Sequence, residues 1–443
     1  MNRIAVLAVT LLACTVMSAA PPHVVFVAGD DEYRSEESLP MLAGILHAQH
    51  GCKVTCLFAT NKKGEIDPTV PDEIPGLDAL KDADLLVLYM RFRRPPPEQL
   101  KAIVDHVESG RPVAGFRTST HAFQYQEKDP AHQKMNNEWP TKVFGQRWIT
   151  HHGHFGDGKQ FLTSVTPIPQ WKDDPVLRGV NPFEAYSWLY HVDGGGEKLF
   201  GDARPLLIGK TLKSSHEKEF DKYPATNPVA WTKTYTGSSG KAAHVFFTTL
   251  GHPFDFKQEA MRKLAVNGLL WALGKESSIP PEGANVDFAF PYESPNSGVG
   301  GFRKGRKPVD VNALARGEGK GFDLKRLAGS WTYKDGWKAG EVTPKERLGG
   351  DVVVDANAIT LNSPGGKFVL AYRSTGSFGD AVKFDLEMKE SPFGAGAMSK
   401  GLVRLDRNGW TLAYFPMGGA KYPDGFDSTT ENGLHVFTLE QKK

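Results

Sequence analysis

The chain predicts an α/β fold built on a doubly wound parallel sheet, followed by a small antiparallel β-barrel. Three observations predict it. Over the first 270 or so residues, apolar runs of strand length alternate with helical segments, the pattern of βαβ units. Across 277–320 the composition turns to Pro, Gly and Lys/Arg. Beyond it, short alternating segments separated by Gly, Asn and Asp turns replace helices altogether. A chain of 443 residues exceeds one ordinary core, and it divides into a leader (1–20), an α/β domain (21–276), a Pro/Gly-rich extension and linker (277–320) and a β domain (321–443).

The leader carries Arg3, then an apolar run over 4–17 and the small residues Ser18, Ala19 and Ala20, a signal-peptide pattern that predicts a periplasmic or secreted protein. Leu11-Leu12-Ala13-Cys14 offers the alternative of a lipid anchor on Cys14. That run is short for a membrane helix, and no later segment reaches the roughly 20 apolar residues required. Next, PHVVFVAG reads as a strand buried on both faces, followed by a helix over 38–50 closed by Gly51. CKVTCLFAT is the second strand, where Cys52 and Cys56 stand about 13 Å apart, too far to bridge. DADLLVLYM is the third strand, PPEQLKAIVDHVESG a helix and RPVAGFR the fourth strand. NPVAWTKTY and KAAHVFFTTLG pair through the turn GSSGK, and QEAMRKLAVNGLLWALG closes the domain as an amphipathic helix. The barrel strands start at LAGSWTYKDG and end at GLHVFTLEQ.

In an open parallel sheet, ligands bind outside the carboxyl ends of the strands. There the chain places Asp30, Asp31, Glu32, Tyr33 and Arg34 after strand one, Arg91 and Arg93 after strand three, and Arg117, Thr118, Ser119 and His121 after strand four. Arginine forks and carboxylates suit sugar hydroxyls, carboxylates or phosphates, while the same charges could pair with one another as a structural network. The three hydroxyl residues 118–120 have no Gly-x-Ser-x-Gly around them, and helix capping is their other reading. His121, and His252 in TTLGHPFDF, are acid/base candidates. Trp188 and Tyr190 in AYSWLYH could stack on a sugar ring or pack in the core. In RWITHHGHFGDG, His152 and His154 point the same way along an extended segment and could share a divalent metal with His121, His191 or His252; a metal-free loop is the alternative. The formal charge of +2, from 53 basic and 51 acidic residues, leaves no field for polyanions, so nucleic acid is excluded as a partner.

Taken together, VVFVAGDDEYRSEESLP, LLVLYMRFRRPP, SGRPVAGFRTSTHAF, DDPVLRGVNPF with SWLY, and HVFFTTLGHPFDF resemble the trehalose-utilisation (ThuA-like) family of the class I glutamine amidotransferase-like superfamily. The resemblance spans about 21–305 and implies a flavodoxin-like fold and a small-molecule carbohydrate, a disaccharide or oxidised sugar, as the partner. Aligned on the amidotransferase turn, Arg117 stands where the catalytic Cys would, which implies no glutaminase activity. The C-terminal region resembles a lipocalin-like bacterial domain family of unknown function, with Gly329, Ser330 and Trp331 at its start, Leu402 and Val403 in a strand, and Tyr422, Pro423 and Phe426 near its end. Three functions follow as expectations: a sugar-processing enzyme, a non-catalytic carbohydrate-binding or scaffold protein, and a metal-dependent hydrolase.

Overall fold

The computed structural model describes residues 20–126, 128–154, 159–192, 199–318, 323–406, 408–416 and 418–442. The apolar leader with Cys14 lies outside the described residues. The α/β part comprises β1 (His23–Gly29), α1 (Ser35–His50), β2 (Lys53–Phe58), β3 (Leu85–Met90), α2 (Pro97–Glu108), β4 (Val113–Phe116), α3 (Pro130–Phe144), β5 (Thr150–His151), β6 (Thr163–Pro167), β7 (Phe183–Ala185), β8 (Tyr190–His191), β9 (Arg204–Thr211), β10 (Thr226–Thr236), β11 (Ala242–Thr248) and α4 (Glu259–Ala272).

The unbroken apolar run of β1 is buried along its whole length, as a strand covered on both faces must be. Val24, Phe26 and Ala28 share a core with α1 and α4, whereas Val25 and Val27 share one with α2 and α3. The sheet runs in the order β2-β1-β3-β4-β11, all parallel, then continues antiparallel through β10, β9, β6 and β7. Strand order reverses between β1 and β3, so the crevice that such a reversal opens lies at the ends of those two strands. Helix α1 begins at Ser35, earlier than the 38 read from the sequence, because Arg34 turns the chain in the left-handed region (φ 58°) immediately before it. Gly51, also left-handed (φ 66°), closes the helix. Cys52 and Cys56 are both buried and free, and burial pushes their thiols up.

The extension runs against the α/β part over its described residues, 277–318. Its Ala284, Val286, Phe288, Phe290 and Tyr292 are buried in the same core as α1 and α4. Helix α5 (Pro308–Ala315) packs on α1 and β2, and Asn312 hydrogen-bonds both the N–H and the carbonyl of Cys56 at 2.8 Å, covering the edge strand of the sheet.

The remaining strands are β12 (Gly329–Lys338), β13 (Glu341–Val342), β14 (Asp351–Val354), β15 (Ala358–Ser363), β16 (Gly366–Phe378), β17 (Ala381–Glu390), β18 (Met398–Leu405), β19 (Gly409–Tyr414) and β20 (His435–Gln441). All neighbours pair antiparallel, and β12 joins β14 on one side and β20 on the other. Eight strands thus close into a barrel, with β13 as a short appendage of β12. Inward positions such as Val352, Leu361, Phe384, Trp410 and Leu439 form its core.

Candidate functional site

Asp30, the first residue past β1, is fully buried. Its Oδ1 accepts the Glu32 N–H at 2.7 Å and the Tyr33 N–H, and its Oδ2 accepts the Thr118 hydroxyl. Burial pushes its pKa up, opposed by the Thr118 and Tyr33 donors. Asp30 therefore ties the loop after β1 to the turn after β4. Three of the four non-glycine residues with positive φ among the described residues stand at these strand ends: Arg34 (58°), Phe92 (52°) and Arg117 (41°). Such backbone costs about 1 kcal/mol or more per residue and gathers where a fold aims side chains at a site.

Arg117 follows β4, in the short 3-10 helix Arg117–His121. Its guanidinium is fully buried and sandwiched between the rings of Tyr33 and Tyr190, each 4.2 Å away. It donates to the Trp188 carbonyl at 3.1 Å, the Thr249 carbonyl at 2.9 Å and the Tyr33 hydroxyl at 3.1 Å. The cation thus holds the Tyr33, Trp188 and Tyr190 segments together from behind.

In front of it opens a cleft of about 460 Å³ lined by Glu32, Tyr33, Arg91, Phe92, His121, Trp148, His151, His154, Trp188, Tyr190 and His216, among others. Arg91 pairs with Asp31 at 3.0 Å and with Glu32 at 3.1 Å. Burial raises the Glu32 carboxyl, opposed by Arg91. His121 is ringed by Phe92, Trp148 and Tyr190, with centroids 4.9, 5.1 and 6.1 Å away. Burial, then Arg91, Arg117 and His151, hold its pKa well below the ordinary imidazole value, so it is neutral at pH 7. His151 stacks on Trp188 at 4.5 Å, and burial then Arg117 push it down to about 4.

Of the sequence-predicted residues, Glu32, Tyr33, Arg91, His121, His154, Trp188 and Tyr190 meet at this cleft. Others stand elsewhere, and the reasons are physical. Arg34 is buried and donates to the Asn296 and Gly298 carbonyls of the extension. Arg93 is buried and holds the Pro68 and Val70 carbonyls at 2.8 and 2.7 Å. Ser119 bridges to β3, its hydroxyl donating to the Leu88 carbonyl at 2.9 Å. It does not cap a helix through its side chain, for that helix has no side-chain cap. His252 is buried outside the cleft lining: Nδ1 accepts the Phe254 N–H at 3.1 Å and Nε2 meets Ser297 Oγ at 2.9 Å. His152 is buried with Nδ1 on Ser214 Oγ at 2.8 Å, while His154 faces the cleft. Among the described residues, no three His, Cys, Asp or Glu side chains are grouped to hold a metal ion. Phe92, Trp148 and His216 line the cleft without having been singled out from the sequence. Only Phe92, lying between Arg91 and Arg93, carried a positional signal.

A family model for trehalose utilisation (ThuA) matches residues 25–272, more than half of the chain. The chain belongs to the ThuA family. The matched stretch begins within β1 and ends with α4, and so spans the large sheet from its first strand to its last. Two solved structures described as putative ThuA-like proteins are similar to it. One, from Parabacteroides merdae ATCC 43184, is 17% identical with a TM-score of 0.39, over 62% of this chain and 100% of that one. The other, from Bacteroides uniformis ATCC 8492, is 15% identical with a TM-score of 0.38, over 60% and 97%. An exo-beta-1,4-mannosidase, Op5Man5 from Opitutaceae bacterium strain TAV5, is similar at 11% identity and a TM-score of 0.29, over 57% of this chain and 36% of its own. No curated protein matches the chain. In this ThuA chain the strained turn after β4, where α/β enzymes of other families expose a nucleophile, holds the buried Arg117.

Proposed function

We propose that the ThuA domain binds a small carbohydrate in the cleft beside His121 and acts on it by proton transfer, with His121 as general base. The observation that carries this reading is His121 itself, a neutral imidazole among aromatic rings at the wall of a polar cleft. Its Nδ1 lies 3.2 Å from Thr120 Oγ1, which in turn lies 3.4 Å from the Arg117 carbonyl. With Nδ1–H donating to Thr120 and the hydroxyl donating onward, Nε2 keeps the lone pair that a base needs. Trp148, Trp188 and Tyr190 offer ring faces to a sugar's C–H surface, while Glu32 and Arg91 offer an acceptor and donors to its hydroxyls. Disaccharides and their oxidised forms are the substrate class we favour, consistent with the family's description. With Arg117 in place of a thiol at the β4 turn, we assign no glutaminase chemistry. The apolar leader supports export to the periplasm or beyond.

Calorimetric titration with trehalose and other disaccharides, followed by product analysis, tests the proposal. It expects saturable binding and turnover that His121→Ala lowers by about 100-fold, the size of a lost acid/base group. Folded protein that binds no sugar overturns it. Binding without product assigns the cleft to carbohydrate capture alone.

A further inference from the structure

A cavity larger than the cleft lies outside the α/β part altogether. It has a volume of about 660 Å³ and opens at one end of the barrel, where β15, β17, β19 and β12 finish and β16, β18 and β20 begin. Eight strands enclose an interior just wide enough for side chains or one small ligand. Here Leu348, Leu361, Met388, Tyr414 and Phe437, all of the barrel core, line the cavity floor. The opposite end is occupied: Phe378 and Ala381, which flank the β16–β17 turn, pack in one core with Phe290 of the extension. At the open mouth Phe393 is 90% exposed, on the turn between β17 and β18. Its ring lies 6.3 Å from that of Phe368, and the two extend the apolar lining of the cavity out to the mouth, the mostly apolar concavity that small-ligand sites use.

The charged side chains that line the cavity are of one sign: Lys338 and Arg347, with no carboxylate, while burial pushes the His435 imidazole beside them down to about 4 and leaves it neutral. Lys338 lies 5.9 Å from the Phe437 ring, and neither Lys338 nor Arg347 has an ion-pair partner among the described residues. Glu390, at the end of β17, is already paired with Lys367 at 2.8 Å.

We propose that the barrel is a binding module for a small amphipathic anion, a monocarboxylate or similar acid with an aliphatic or aromatic body. The apolar body enters between Leu361, Met388 and Phe437, Phe393 folds over it, and the acid group meets Lys338 and Arg347 at the rim. The site is independent of the carbohydrate cleft and of its reading.

The test uses the purified protein with three probes of one chain length, dodecanoate, dodecanol and dodecyltrimethylammonium, each competing with a fluorescent aryl sulfonate. The expected result is saturable 1:1 displacement by dodecanoate, weaker displacement by dodecanol and least by the cation. The double substitution Lys338→Glu with Arg347→Glu sits on exposed positions and leaves the core intact; it should weaken dodecanoate by about tenfold and leave dodecanol unchanged, as two partly solvated ion pairs would. Leu361→Trp, which fills the floor, should weaken dodecanoate and dodecanol alike. Equal affinity for the three probes, an unchanged dodecanoate affinity in the double variant, or no saturable binding by folded protein overturns the proposal. So does attachment to phosphatidylglycerol vesicles without uptake of monomeric dodecanoate, which would assign the mouth to a membrane surface.

Discussion

At the scale of single residues, the arginines divide into two kinds. Arg34, Arg93 and Arg117 are buried and donate to backbone carbonyls, so they shape the walls, whereas Arg91 stays at the cleft with Asp31 and Glu32. Arg91 also depresses His121 electrostatically. If His121 is the base, the acid limb of kcat/KM lies below pH 6.5, the ordinary imidazole value, and Arg91→Met shifts that limb to higher pH. An unmoved limb removes His121 from the proton transfer. Glu36 gives a second titration. Burial, then Glu37, push its carboxyl up to about 8, while the Arg34 guanidinium at 3.8 Å opposes the rise but is already bonded to carbonyls of the extension. The folded protein holds that proton above pH 4.5, where an unfolded chain releases it, so the stability tied to Glu36 is full below about 4.5 and falls as pH rises towards about 8. Glu36→Gln is therefore expected to raise stability by about 1–3 kcal/mol at pH 8 and to leave it unchanged at pH 4, read by urea denaturation.

At the scale of elements, the strand ends are the decisive parts, and their geometry depends on close backbone approach. Gly251, after β11, has φ 155°, and a Cβ there would stand 2.7 Å from the Tyr89 hydroxyl and 3.2 Å from Arg117 Cβ. Gly251→Ala should cost about 1–3 kcal/mol, and it should weaken sugar binding by displacing the Arg117 sandwich. Thermal melts and titration read the two effects separately. The parallel strands were legible because each is an uninterrupted apolar run. The antiparallel wing was legible only at β10 and β11, since TSVTP and FEA in β6 and β7 carry too few apolar residues to show a period. Helix α5 was also missed: PVDVNALA is short and begins at a Pro within a stretch dominated by Pro, Gly and cations.

At the scale of the whole molecule, the extension is what joins the sheet to the barrel. Phe288, Phe290 and Tyr292 belong to the same core as α4 on one side and Phe378, Phe426 and Val436 on the other. Ion pairs Lys257–Asp427 and Arg404–Glu293 run across the same junction. Phe290→Ala should cost about 3 kcal/mol or more at this junction and split the calorimetric unfolding endotherm into two. A single endotherm in that variant would mean that the two parts are coupled elsewhere.

The parallel strands, the pairing of β10 with β11 and the antiparallel barrel beyond the extension were written in the sequence, because burial on two faces demands continuous apolar runs and burial on one demands alternation. Which charged residues reach a ligand was not. Arg91 and Arg93 are two residues apart, yet one lines the cleft while the other clamps the Pro68 and Val70 carbonyls. His121 and His252 are both buried histidines near strand ends, yet only His121 opens onto the cleft. Those outcomes depend on left-handed turns at Arg34, Phe92 and Arg117 and on carbonyl acceptors supplied from distant parts of the chain. A side chain's direction is set by its own backbone angles and its partners' positions, and both are decided only when the strands have packed.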